Sequence, residues 1–149
     1  MNDNAHAQHS LADCPSSRDM MYQLLQAAHA IERRLEDALG KVELSAPKYG
    51  ALTVLVQAGE PISLSELAHR LTCVRSNITQ LVDRLESDGL VRRVDDPADR
   101  RGIRAEVTPL GLRRQAAGER AVAKVQDELA GAIEGLDHAA LSSALAAIR

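Results

Sequence analysis

This chain has to build its interior almost without rings: its 149 residues include no Trp, no Phe and only Tyr22 and Tyr49. Leu, Val, Ala and Ile are left to fill the core, which favours helices. From Asp19 to Val42 the residues Met21, Leu24, Ala28, Ile31, Leu35, Ala38 and Val42 recur at alternating spacings of three and four, one stripe at helical period. A stripe held for six turns on a helix that opens a small domain asks for a second surface. Another subunit is one solution, and burial within the monomer is the other.

Punctuation divides the rest. Ser45-Ala46-Pro47 supplies a capping residue and a first-turn Pro for a helix to about Ala58, with Ala51, Leu52, Leu55 and Val56 inward; Gly59-Glu60-Pro61 ends it. Ser63 and Glu66 fit a reciprocal capping box ahead of a two-turn helix carrying Leu64, Leu67, Ala68 and Leu71. After Thr72-Cys73-Val74, a stripe of Ile78, Leu81, Val82 and Leu85 closes at Gly89, placed for a left-handed cap with Leu90 packing back on Leu85. Two extended runs follow, Leu90–Val94 and Ile103–Val107, in which Ile103, Ala105 and Val107 alternate with Arg104 and Glu106. Asp-Pro and Gly flank the connection, giving a β-hairpin with a charged tip. Thr108-Pro109 opens a helix to about Ile133, and Asp137 caps a last one with Leu141, Leu145 and Ile148 on one side.

The length suits one compact core. No apolar stretch approaches the roughly 20 residues of a membrane-spanning helix. The first seventeen residues are polar and lack the apolar segment of a secretion signal, so the expected compartment is the cytoplasm. Two cysteines 59 positions apart exclude a disulfide framework, and no Cys/His cluster has metal-ligand spacing; His6, His9 and Cys14 share a polar tail without fixed geometry. No cofactor or metal is expected. There is no Gly-rich phosphate loop, no HExxH and no nucleophile elbow, which argues against an enzyme.

A short helix, a tight turn, a second helix with one polar face and then a hairpin is the winged helix-turn-helix arrangement. The expected fold is mainly α with a small β-hairpin, a winged helix-turn-helix between long N- and C-terminal helices. With its apolar stripe inward, the second helix turns Arg75, Ser76, Asn77, Thr79, Gln80, Asp83 and Arg84 outward. Arg suits guanine edges and Asn or Gln suits adenine, so Arg75, Asn77 and Gln80 are the expected base readers, alongside Ser76, Thr79 and Arg84. An ordinary solvated face has the same look; the hairpin favours the DNA reading. At its tip Asp99 stands two before Arg101, where a carboxylate can orient a guanidinium into a minor groove, with Arg100 between them. Net charge is −3, yet from Ser63 to Arg104 eight Arg face seven acids, so positive charge is concentrated where the reading helix and hairpin lie.

The stretch TQLVDRLESDGLVRR, the tip DPADRR and the following VTPLG resemble, in order and spacing, the MarR family of bacterial transcriptional regulators, with the resemblance running from about Asp19 to Arg149. It implies a homodimer: residues 1–18 a tail, 19–44 and 109–149 dimerisation helices, 45–108 the DNA-binding domain, one per half of a palindromic operator. It implies repression relieved by a small phenolic, anionic or apolar effector bound between the dimerisation part and the DNA-binding lobe, or by cysteine oxidation. Tyr22, His29 and Tyr49 are the expected effector contacts, core or solvent roles being the alternative for each. Cys73 at the turn reads as a buried small side chain, with a redox sensor as the alternative, and Cys14 lies in the tail. Met21 stands where the family's peroxide sensors carry their reactive cysteine. Two further readings stay open: a thiol-based repressor acting through Cys73 or Cys14, and a winged helix that binds protein instead of DNA.

Overall fold

A computed structural model describes residues 16–71 and 75–147, the side chains of 17, 75, 76, 100 and 101 excepted. In chain order the elements are α1 (Ser17–Gly40), α2 (Ala46–Ala58), β1 (Ile62–Ser63), α3 (Leu64–Arg70), α4 (Arg75–Ser87), β2 (Val91–Asp96), β3 (Asp99–Val107), α5 (Pro109–Ala132) and α6 (His138–Ala146). The chain divides into two compact bodies, residues 1–33 and 34–149, with α1 beginning in the first and ending in the second.

In the first body α1 starts two residues before the point the stripe suggests, because Ser16 and Asp19 cap one another. The Asp19 backbone N–H donates to Ser16 Oγ at 3.2 Å, and Ser16 donates to Asp19 Oδ2 through its N–H at 3.2 Å and its hydroxyl at 2.6 Å. Met20, Met21, Tyr22, Leu24 and Leu25 are all exposed.

The second body holds the core: Leu39 and Leu44 around the end of α1, Ala51, Leu52 and Leu55 of α2, Leu67 and Ala68 of α3, Ile78, Val82 and Leu85 of α4, and Val91 and Ala105 of the sheet. Glu43, at φ 57°, turns the chain from α1 into α2. Ser45 occupies the cap position of α2 as expected, but its side chain makes no capping bond. Glu36 does that work from ten residues upstream, its Oε1 accepting from the Ala46 N–H at 3.2 Å. The capping box at α3 is half formed: Ser63 Oγ accepts from the Glu66 N–H at 3.1 Å, while the Glu66 carboxylate accepts from Arg70 Nε at 2.8 Å. At the end of α4, Gly89 takes φ 70°, its N–H donating to Glu86 O and that of Leu90 to Leu85 O, both at 2.9 Å. This Schellman closure buries Leu85 with Leu90, as the pattern suggested.

The expected hairpin is one strand short. Ile62 and Ser63 pair with Ala105 and Arg104, giving an antiparallel sheet of order β1-β3-β2. Two residues directly ahead of a helix cap are too few to show alternation, so β1 leaves no local signal. Along β3, Ala105 is fully buried while Ile103, nearer the tip, is 40% exposed, against the expected inward pattern. Thr108 caps α5, accepting from the Gly111 N–H at 3.0 Å and donating to Gly89 O at 2.7 Å. Gly111 and Gly118 let α5 approach closely: a Cβ on the first would stand 2.1 Å from Leu90 O, and on the second 2.7 Å from the Tyr49 ring. Asp137 caps α6, accepting from the Ala139 and Ala140 N–H groups at 3.0 Å; Leu145 is exposed and Ile148 lies outside the described residues.

Candidate nucleic-acid interface

α4 carries its apolar and polar residues on opposite faces. Ile78, Val82 and Leu85 are buried, Leu81 is half-buried, and Asn77, Thr79, Gln80, Asp83 and Arg84 are exposed. Arg75 and Ser76 fall in the first turn of α4, and Arg100 and Arg101 in β3. The expected contact residues therefore lie on two adjacent elements, a helix and the hairpin that follows it.

Asp83 faces outward as expected, and it is also ion-paired. Arg93 of β2 reaches across to α4, its Nη2 2.5 Å from Asp83 Oδ1 and its Nη1 donating to Glu86 Oε2, while the Arg93 backbone N–H donates to Glu86 Oε1 at 3.1 Å. Asp83, with Glu86, holds the Arg93 guanidinium even more firmly in its charged form. Arg93 is thus a site residue that sequence reasoning missed. Its signal was the second Arg of VRR following the two acids of DRLE, but nothing local says which acid meets which base.

The hairpin is fastened elsewhere too. Arg104 Nε lies 2.9 Å from Asp96 Oδ2, and Arg104 Nη1 donates to Pro61 O at 3.2 Å, tying β3 to the turn before β1. Arg104, helped by the Ala98 N–H, holds the Asp96 carboxyl below the usual carboxylate range. Arg92 pairs with Glu106 directly across the β2–β3 ladder. The Asp99 to Arg101 pairing expected at the tip involves a side chain outside the described ones. Among the described side chains, Asp96, three residues earlier, also orients an arginine, Arg104.

The residues expected around an effector are spread between the two bodies. Tyr22 and His29 are exposed in the first; Tyr49 is half-buried in the second, its ring against Gly118. Within the second body a groove of about 550 Å³ runs between the end of α1 and the middle of α5. Arg34, Lys41, Arg120 and Lys124 line it together with Asp37, Glu128 and an apolar floor that includes Val42 and Val125. None of the three expected effector contacts is part of that lining. Cys14 and Cys73 lie outside the described residues. Among the described residues no three His, Cys, Asp or Glu side chains are placed to hold a metal ion, and no helix is long and apolar enough to cross a membrane.

Comparison with known proteins places this arrangement. Residues 44–103 match the model of the MarR family. The HTH-type transcriptional regulator YsmB of Bacillus subtilis (strain 168) is 32% identical over 95 residues, 64% of each chain. TtmR, an HTH-type transcriptional regulator of Methylorubrum extorquens (strain PA1), is 36% identical over 101 residues, 66% of this chain and 51% of that one. The aligned region thus spans between half and two-thirds of these relatives' length. The crystal structure of CouR from Rhodococcus jostii RHA1 bound to p-coumaroyl-CoA superposes over 91% of this chain and 93% of its own, with a TM-score of 0.67 and 25% identity. In its family match over residues 44–103, its relatives and its fold, the chain resembles the MarR family.

Proposed function

We propose that the chain is a sequence-specific, double-stranded DNA-binding transcriptional regulator, a cytoplasmic repressor that grips a palindromic operator as a homodimer and is released by a small-molecule effector. One observation carries the reading: α4 buries Ile78, Val82 and Leu85 and leaves Asn77, Gln80 and Arg84 exposed, beside a hairpin fastened to the same helix through Arg93. Hydrogen-bonding side chains on a helix that fits a major groove, next to a two-stranded wing, are what base readout with a minor-groove contact requires. Arg75, Ser76, Asn77, Thr79, Gln80 and Arg84 are assigned to the reading helix, and Asp99, Arg100 and Arg101 to the wing. Residues 19–44 and 109–149 are assigned to dimerisation, setting half-site centres roughly 34–36 Å apart.

For the effector, the groove of Arg34, Lys41, Arg120 and Lys124 has the chemistry for an anionic group with an apolar body, and the structure of CouR, a structural relative, is bound to p-coumaroyl-CoA. The test is binding to a fluorescent duplex from upstream of the chain's own gene, at several salt concentrations and against scrambled competitor. Arg75→Ala is expected to cost about 1–3 kcal/mol and relax base preference. Arg101→Ala is expected to weaken binding with less change in preference and a shallower salt slope. Parent-like binding by both variants sinks the assigned reading face.

A further inference from the structure

The Arg93 contact puts a cation where the proposed interface least tolerates its loss. Along α4, Gln80, Asp83 and Ser87 follow one another at spacings of three and four, so Asp83 lies in the middle of the exposed polar stripe, with Arg84 beside it and Glu86 one residue from the helix end. Two carboxylates on a surface that must approach phosphates are a liability, because like charges brought together across an interface oppose binding and every phosphate carries a negative charge. Both carboxylates are engaged by one guanidinium: Arg93 Nη2 on Asp83, Nη1 on Glu86, and its own backbone N–H on the second Glu86 oxygen. The planar fork of Arg spans two acceptors in this way, whereas the single ammonium of Lys does not. The sheet presents Arg93 opposite the fully buried Ala105, which fixes the stem from which the fork reaches α4.

We propose that Arg93 is a charge mask for the reading helix: it acts on DNA binding through Asp83 and Glu86, by neutralising them, and not by touching DNA. The inference rests on the DNA-binding reading above. Two other roles are open to the same residue, a direct phosphate contact or a purely structural clamp, and each leaves a different trace. A phosphate contact adds about 0.9 to the steepness of log affinity against log salt for B-DNA, and its removal makes that dependence shallower. A structural clamp is lost equally from either end of the pair. A mask is needed only while the carboxylates are there.

The experiment measures operator affinity by fluorescence anisotropy at several salt concentrations for the full chain and three variants: Arg93→Met, which keeps an unbranched stem; Asp83→Asn with Glu86→Gln; and all three together. Thermal melts accompany each. The mask requires that Arg93→Met weaken binding about tenfold, as unpaired like charge at an interface does, with no loss of salt slope. It also requires the triple variant to recover parent-like affinity and the double carboxylate variant to bind at least as tightly as the parent. Parent-like binding by Arg93→Met overturns it, as does a slope shallower by about 0.9. Equal losses in the double and triple variants also overturn it, in favour of a clamp. If Arg93→Met fails to fold, those two variants decide alone. A parent chain that binds no duplex in preference to scrambled DNA fails before any variant is compared, and that result removes the DNA reading itself.

Discussion

Gly111 is where α5 meets the turn after α4 backbone to backbone. A side chain there would meet Leu90 O at 2.1 Å, and a carbonyl fixed between the Gly89 turn and β2 cannot rotate away as a flexible side chain would. Gly111→Ala is therefore expected to destabilise by about 2–3 kcal/mol, as forced overpacking does, read as a lower urea midpoint. Gly131→Ala, on the same helix with nothing within 4 Å of its Cβ position, is expected to change stability little or to raise it by up to about 1 kcal/mol. The same substitution with opposite sign separates contact from helix propensity. Asp96 makes a second residue-scale case. Arg104 holds its carboxyl below the usual range, so the folded state binds this proton more weakly than the unfolded chain. The resulting stability is complete above the unfolded value, near pH 4, and disappears as pH falls through the lowered folded value. In urea titrations the gap between the parent and Asp96→Asn should be full near neutrality and close in acid; a gap independent of pH would mean the ion pair is not its source.

Each element begins or ends on chemistry that differs in how far along the chain it reaches. Ser63 and Thr108 accept from the amide three residues on, and replacing either with Ala should lower stability by about 1 kcal/mol. Ser45→Ala should cost only a few tenths, since that side chain caps nothing, whereas Glu36→Ala removes the acceptor that α2 uses. Parallel denaturant curves for the four variants check the ranking. The contrast also explains what could be read without coordinates. Helix order, the caps at Ser63, Thr108 and Asp137, the left-handed Gly89 and the inward stripe of α4 are written within three or four residues of where they act. The cap from Glu36 to Ala46, the strand at Ile62, the Arg93 grip on α4 and the Arg104 bond to Pro61 join residues 7 to 43 apart. Composition declares that such charges exist; only the fold chooses their partners. Hence the polar face of α4 was legible and the arginine that pairs with its acids was not.

At the scale of the whole molecule, exposed apolar surface is the unspent quantity. The first body leaves Met20, Met21, Tyr22, Leu24 and Leu25 exposed, and α6 and the turn before it leave Leu145 and Leu136 exposed. An exposed apolar run of this kind marks an interaction surface, and a second copy is the partner that the proposed palindromic operator calls for. In the proposed dimer the second copy of α4 binds its half-site intramolecularly, so operator affinity is expected to exceed that of a single half-site by about 10²–10⁴-fold through effective concentration alone. Leu24→Asp with Leu25→Asp places two charges in that run and leaves the sequence of α4 and the sheet unchanged. The expected result in sedimentation is a dimer for the parent and a monomer for the variant. In binding, the variant should lose that same factor of about 10²–10⁴ on the full operator while keeping the parent's intrinsic affinity for one half-site. A variant that stays dimeric removes these leucines from the seam, and a monomeric parent that nonetheless binds the full operator tightly removes the two-fold reading altogether.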